Sequence, residues 1–485
     1  MGRRGAVVPA RRVGDPPAHA VLLPGRRRVV PLARPRRLGG ARHRPGARRG
    51  GPWQAFAVDD AHGDQHPRGR LSGGRPLRSA GAGDARAPAL HSPFRSPARI
   101  DTIASVLTKM TVTDDQLSRI LSPLGEIADS APLEGGLFAS TFRVDLTDGR
   151  RLVVKITSAD TSRLLRYEHG ILGTEEDVYR RVADRPDLLM PRVVHSDFSR
   201  SALDGDALVV TFLGGDVWNA LPPLDDAATE GVRHDLGAFM ARLHTVTGDA
   251  FGYPAPASGM SAPTWPEAFG LMVDALLADA EDWDVDLPAD ALRAVVARHH
   301  DALAEVTVPR LVHADLWPGN LFLSAEASAP ADPVAPAGPA RSADEESPLR
   351  LSGVIDTERC LWADPLYELA GADQLGLGPV PPAIAAGYRS AGGHLPVEEP
   401  WFASPTPGEI PPDDGAPRAR DAVGRVRPGA STLGAGDVRL LLYRAYISAV
   451  LVTEVVPRDY QGEWVQGYRD TAAANLEVLL DQLSR

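Results

Sequence analysis

The sequence predicts an α+β fold in two lobes, a small strand-rich lobe followed by a larger, mainly helical one. Three observations carry this. Short apolar runs bounded by turn residues dominate residues 133–212. The stretch Leu213-Gly214-Gly215-Asp216 then breaks the pattern as a hinge would. Beyond it, apolar residues recur at helical spacing over 229–247, 264–280, 289–304, 436–456 and about 459–484.

The elements follow in order. Residues 1–100 hold 21 Arg, no Lys and 5 Asp, a net charge of +16, against −27 for residues 110–485 and −11 for the whole chain. Arg, Pro, Gly and Ala alternate there without period, so the segment cannot bury enough apolar surface to offset its ordering entropy. Residues 1–109 therefore read as a disordered extension, or as upstream GC-rich DNA translated beyond a natural start at Met110. From Asp114 to Leu124 a short amphipathic helix is expected, capped by Thr113 or Asp114. Strands are expected either side of Gly135-Gly136, then on both sides of the Asp148-Gly149 turn, where Asp-Gly tolerates positive φ. Leu164 to Arg181 has helical period, and strands follow at Val193–His195 and Leu208–Phe212. Past the hinge, short strands are expected at Leu321–Leu323 and Leu351–Ile355. Two insertions, 325–348 and 392–435, have the Pro-rich, polar composition of mobile loops.

No run of 18 apolar residues exists, so no membrane span is expected. The single cysteine, Cys360, excludes an internal disulfide and suits a reducing cytoplasm. An Arg-rich arm on an acidic body would bind nucleic acid only if the arm is genuine.

The stretch His313-Ala314-Asp315-Leu316-Trp317-Pro318-Gly319-Asn320, followed by Gly353-Val354-Ile355-Asp356, carries the chemistry. It has the layout of a kinase catalytic loop and its metal aspartate. An Asp and an Asn five residues apart can sit at the two ends of one rigid loop. The Asp then meets a substrate hydroxyl and the Asn a metal ion on the nucleotide phosphates. Lysine adds a second signal. Of 52 Lys and Arg only Lys109 and Lys155 are lysines. Lys155 is the one charge inside the apolar run Leu152-Val153-Val154-Lys155-Ile156, where a compact ammonium suits nucleotide phosphates.

With these residues in view, the chain from about 110 to 485 resembles the aminoglycoside phosphotransferase family, which has the protein-kinase-like fold. The match lies in Leu311–Asn320 and Gly353–Pro365, with softer matches at Arg242-Leu243-His244, Phe251–Pro254 and Thr174–Tyr179. The resemblance implies a nucleotide-binding lobe over 110–213 and a catalytic, substrate-binding lobe over 214–485. It implies ATP and Mg²⁺ as cofactors and a small-molecule hydroxyl as acceptor. By the same resemblance Asp315 is the base, and His313 braces its loop without carrying a proton. Asn320 and Asp356 hold magnesium, and Lys155 with Glu175 serves the phosphates. Glu168 and Glu176 compete with Glu175 for that pairing. Gly135, Gly136 and Ser140 form the phosphate loop, and Phe212 and Leu213 meet the adenine. Ala314 stands where relatives often have Gly, and Thr357 where many have an aromatic residue. His244 reads as a packed core histidine, Asp364 as a helix cap, and Glu358 and Arg359 as ion-pair or substrate-lobe residues. A protein Ser/Thr kinase and a regulatory pseudokinase remain alternatives. No activation segment favours the first, and an intact Lys155, Asp315, Asn320 and Asp356 disfavours the second.

Overall fold

The computed structural model describes residues 109–133, 139–325, 348–397 and 433–485. Gly135, Gly136, nearly all of the 1–109 extension and most of both insertions lie outside the described residues.

The chain enters through α1 (Asp114–Leu121), which starts where a reciprocal cap satisfies two helix-end donors. The Thr113 hydroxyl accepts the Gln116 N–H and the Gln116 side chain accepts the Thr113 N–H at 2.9 Å. Then come β1 (Ile127–Leu133), β2 (Ser140–Leu146), β3 (Arg151–Ser158), α2 (Ile171–Arg181), β4 (Val193–Asp197) and β5 (Gly205–Thr211). The strands form one antiparallel sheet in the order β1-β2-β3-β5-β4. Gly149 takes φ +89° in the tight turn between β2 and β3, as its sequence requires. Side chains alternate across a strand. On β3, Leu152, Val154 and Ile156 are buried against Leu117, Ile120 and Leu121 of α1. Lys155 therefore faces the other side of the sheet.

The helix expected over Leu164–Arg181 is split. A short 3-10 turn at Arg166–Glu168 ends before Gly170, whose φ of +80° breaks the helical path, and α2 begins only at Ile171. The cause is local. Glu168 turns back to accept the Leu165 N–H at 2.9 Å and pairs with the buried Arg458 guanidinium.

The second lobe contains β6 (Asp216–Val217), α3 (Asp226–Leu243), β7 (Phe251–Gly252), β8 (Ser261–Ala262), α4 (Trp265–Asp282), α5 (Ala289–Arg298), α6 (His300–Ala304), β9 (Arg310–Val312), β10 (Leu321–Ser324), β11 (Arg350–Val354), β12 (Leu361–Ala363), α7 (Pro365–Ala372), α8 (Pro382–Ser390), α9 (Ala435–Glu454) and α10 (Trp464–Leu483). The expected helix 289–304 is two helices that part at His299, where ψ is +22°. Helices α7 and α8 and the short strands β7, β8, β9 and β12 were not legible as periodic segments. Helix α7 is buried on every side from Leu366 to Ala372, so it has no polar stripe to reveal a period. Two small sheets, β11-β10-β6 and β8-β7-β12-β9, present the loops between β9 and β12 to the first lobe.

The core of this lobe centres on Trp265, whose indole donates to Tyr443 at 2.7 Å while its ring packs on Phe269 and edge-on to Tyr367. Tyr443 in turn donates to Asp364, which also takes Arg439 at 2.8 Å and caps α7 through the Leu366 N–H. Asp364 is thus the cap its position suggested. Cys360 and Trp265 are fully buried, whereas Trp401 lies outside the described residues.

Helices α3 and α8 touch through glycines. A Cβ on Gly237 would lie 2.0 Å from the Ile384 carbonyl oxygen, and one on Gly387 only 1.9 Å from that of His234. Helix propensity alone would favour Gly387→Ala by about 1 kcal/mol. We predict the opposite sign. The backbones must part, so Gly387→Ala should lose about 1–3 kcal/mol, as overpacking does. Urea unfolding of the two proteins measures this, and a stabilised variant would show that the helices are not in contact here.

Candidate active site

The loop from β9 to β10 is shaped by one buried carboxylate. Glu368 of α7 is fully buried, and its oxygens accept the backbone N–H groups of His313 (2.8 Å) and Ala314 (2.9 Å). His244 approaches the same carboxylate at 3.4 Å, and its other ring nitrogen meets the Tyr388 hydroxyl at 2.8 Å. His244 is a packed core residue with partners on both sides. Ala314 is bent to φ +65°, the left-handed region, where glycine would fit without strain. Burial pushes the Glu368 carboxyl up. The hydrogen bonds from His244 and from the His313 N–H outweigh it and hold the group below the usual range.

His313 ties this loop to the end of β11. Its Nε2 meets the Ile355 carbonyl at 3.0 Å, so that nitrogen carries the proton, and its Nδ1 accepts the Asp315 N–H at 3.3 Å. The imidazole is then a brace between two loops. Asp315 is buried, and amides hold both its carboxylate oxygens. Asn320 Nδ2 donates to Oδ2 at 2.9 Å, and Gln374 Nε2 donates to Oδ1 at 2.7 Å. The same Asn320 amide reaches the Asp315 carbonyl at 2.9 Å, which closes the five-residue loop on itself. Burial raises the Asp315 pKa, opposed by the Arg359 guanidinium.

Across the cleft, Lys155 Nζ lies 2.6 Å from Glu175 of α2 and 2.6 Å from Asp356 after β11. Glu175 is the partner. Glu168 is taken by Arg458, and Glu176 by Arg180 and Ser196. Tyr179 donates to Glu175 at 2.8 Å and receives the Asp356 N–H at 3.2 Å, joining helix and loop. Asp356 sits at φ +70°, a conformation aspartate tolerates better than most residues. Burial would raise its pKa, but Lys155 wins and holds it below the usual range. Burial and the neighbouring Asp356 charge push Glu358 well above its ordinary value.

The donor set suits a divalent ion. Carboxylate oxygens of Glu175, Asp356 and Glu358 lie within 4.8 Å of one another, faced by the one ammonium of Lys155. Such an excess of hard oxygen charge matches Mg²⁺. Asn320 is brought to the same end of β11, since the Ile355 N–H donates to its carbonyl at 3.1 Å.

Phe212 and Leu213 lie at the exit of β5, with Leu213 packed against Gly353 of β11 and Arg151 over the Phe212 ring. Ser140 departs from expectation. Its hydroxyl donates to the Met110 carbonyl at 2.7 Å and accepts the Met110 N–H at 3.1 Å, so it fastens the entering chain and is not free for a phosphate. Gly135 and Gly136 lie outside the described residues. Sequence reasoning missed Glu368, Tyr179 and Gln374 and set Glu358 aside. For Glu368 the available signal was a lone acid inside the apolar run Leu366–Ala372. A cavity of about 550 Å³ opens on another face of α2, lined by Thr174, Asp177, Arg181 and Trp362. None of Lys155, Asp315 or Asn320 lines it.

Because the folded protein holds Glu368 below the usual glutamate range, its carboxylate stabilises the fold at neutral pH. That contribution is lost as pH falls through the folded value. We predict that Glu368→Gln costs about 3 kcal/mol at pH 7, as removal of one partner from a buried charged network does. The gap from wild type should narrow on acidification through the glutamate range. Denaturant melts at neutral and acid pH read both effects, and a gap that widens with acid would reverse the sign argued here.

Residues 129–329 match the model of the phosphotransferase enzyme family (APH). No curated protein matches the sequence. Among solved structures, a candidate fructosamine-3-kinase from Thermobifida fusca is similar at 17% identity and TM-score 0.46, over 76% of this chain and 97% of that one. A candidate aminoglycoside phosphotransferase from Ralstonia eutropha is similar at 14% identity and TM-score 0.45, over 77% and 98%. A thermostable mutant of the aminoglycoside phosphotransferase APH(4)-Ia, in complex with AMP-PNP and hygromycin B, is similar at 18% identity and TM-score 0.43, over 76% and 98%. The stretch that matches the phosphotransferase enzyme family, residues 129–329, spans both lobes of this α+β chain and holds Lys155, Glu175, Asp315 and Asn320.

Proposed function

We propose that the protein moves the γ-phosphate of ATP to a hydroxyl of a small molecule, such as an aminoglycoside, amino sugar or related metabolite. The observation that carries this reading is Lys155 Nζ held 2.6 Å from carboxylates of both lobes, opposite the loop that braces Asp315. Phosphoryl transfer asks little covalent work of a protein. It asks for charge neutralisation and alignment of the attacking oxygen, phosphorus and leaving oxygen.

The chain's own groups meet those demands. Lys155, kept cationic by Asp356 and Glu175 despite its burial, is the point charge for the nucleotide phosphates. Glu175 and Tyr179 hold it in place. Asp315, fixed by its amide donors, accepts or orients the proton of the acceptor hydroxyl, an effect typically worth about 10²–10⁴-fold. Asp356 and Asn320, with Glu358 beside them, would hold Mg²⁺, which would supply positive charge to offset that of the nucleotide phosphates. Phe212 and Leu213 border the adenine position. The wall beside Asp315 carries Arg359, whose ring contact is Tyr167 and whose carboxylate contact is Glu454 at 3.4 Å. Among the described residues no helix is long and apolar enough to cross a membrane.

Two outcomes are predicted. Asp315→Asn keeps the volume and removes the base, so nucleotide binding should persist while turnover falls by about a hundredfold or more. An ATP-consumption screen against aminoglycosides, amino sugars, fructosamines and other polyols supplies the assay. A variant as fast as wild type would remove Asp315 from the reaction. Lys155→Arg should not rescue Lys155→Ala, because a planar guanidinium is too large for a seat 2.6 Å from two carboxylates. Recovery of activity by arginine would contradict the ammonium-sized site.

A further inference from the structure

Asp315 receives two side-chain amides, and the motif contains only one of them. Asn320 belongs to the loop itself. Gln374 comes from the segment that leaves α7, 59 residues away along the chain. Its orientation follows from chemistry, since an ionised carboxylate only accepts and must be met by Nε2. With Asn320 alone the carboxylate is held by one oxygen and can turn about its Cβ–Cγ bond. With Gln374 on Oδ1 at 2.7 Å and Asn320 on Oδ2 at 2.9 Å, its plane is set.

The segment that carries Gln374 is itself tied down. The Gly376 N–H donates to the Asp373 carbonyl at 3.0 Å, and a Cβ on Gly376 would lie 1.8 Å from the Asp373 carboxylate, so the turn is tight. The next carbonyl, Leu375 O, accepts from Asn475 Nδ2 of α10 at 2.9 Å. The chain has three asparagines. Asn320 touches Asp315, and Asn475 holds the turn that presents Gln374 to it.

We infer that Gln374 is a positioning residue for phosphoryl transfer, which orients the Asp315 carboxylate toward the acceptor hydroxyl and is itself held by Asn475. The inference rests on the phosphotransferase reading of Asp315. It adds a contribution to the base from outside the catalytic loop. Orientation of a reacting group matters because small misplacements cost large factors in rate.

The test uses the full chain and measures ADP release from saturating MgATP with water as acceptor, which requires no knowledge of the natural acceptor. Gln374→Ala should lower kcat by about tenfold or more, the usual scale for a hydrogen bond to a charged group. The KM for ATP and the melting temperature should stay at wild-type values. Gln374→Glu, which has no amide donor and places like charge against Asp315, should fall at least as far. The decisive step is a double-mutant cycle. In an Asp315→Asn background, Gln374→Ala should cost nothing further, because the group it orients is gone. Asn475→Ala should give a smaller loss that vanishes in the Gln374→Ala background. Full kcat in Gln374→Ala, a loss confined to KM, or a loss that persists in the Asp315→Asn background would each overturn the inference. If Asp315→Asn turns over like wild type, or the wild type releases no ADP, the phosphotransferase reading of the site fails with it. A slow Asp315→Asn beside a fast Gln374→Ala sinks Gln374 alone.

Discussion

The Glu368 carboxylate is the interaction on which the rest of the site depends. An isolated charge in the interior of a protein is strongly disfavoured. Here the cost is offset by two backbone N–H donors and the approach of His244. The return is geometric. By gripping consecutive N–H groups at His313 and Ala314, the carboxylate imposes the left-handed bend that turns Asp315 into the cleft. The same helix supplies the seat, since a Cβ on Gly371 would lie 2.5 Å from the Ala314 carbonyl oxygen. Clamp and seat are less than one helical turn apart, so a single helix, α7, fixes both sides of the bend.

The cleft opposite is deliberately over-supplied with negative charge. Three acids from two lobes surround one ammonium. Their responses differ with their partners. Asp356 stays ionised beside Lys155, while the burial of Glu358 drives it toward its neutral form. Lys155 and the Arg359 guanidinium offset part of this charge, and the carboxylate oxygens form a hard donor set. That supports a role in holding a divalent ion, with Glu358 available to ionise as it does so.

Much of this architecture was legible in the sequence, for stated reasons. The lone lysine in an apolar strand, the Asp and Asn five apart, and the Asp at the end of β11 are local patterns, and the fold brings them to one cleft. Asp364 as a cap and His244 as a core residue were readable from type and position. What escaped was non-local. Gln374 has no motif and meets Asp315 only because α7 ends where it does. Ser140 looked like part of a phosphate loop, but its hydroxyl is claimed by Met110, a residue 30 positions away. Helix α7 was missed because burial on all sides erases the 3.6 period. The break at Gly170 was missed because the apolar spacing runs through it, and only the inward turn of Glu168 toward Arg458 reveals it.

The two buried clusters divide the molecule differently from its lobes. The face of the sheet carrying Leu152, Val154 and Ile156 closes with α1 into a small core of its own. Leu172, Val178 and Tyr179 of α2, with Leu208 and Val210 of β5, belong instead to the large core built around Trp265. In cooperative terms α2 is therefore part of the helical body, though the chain places it among the strands. Opening of the small core would expose β1, β2 and α1 as one unit and leave Glu175 anchored where it is. The element that fastens Lys155 is thus supplied by the larger of the two cores.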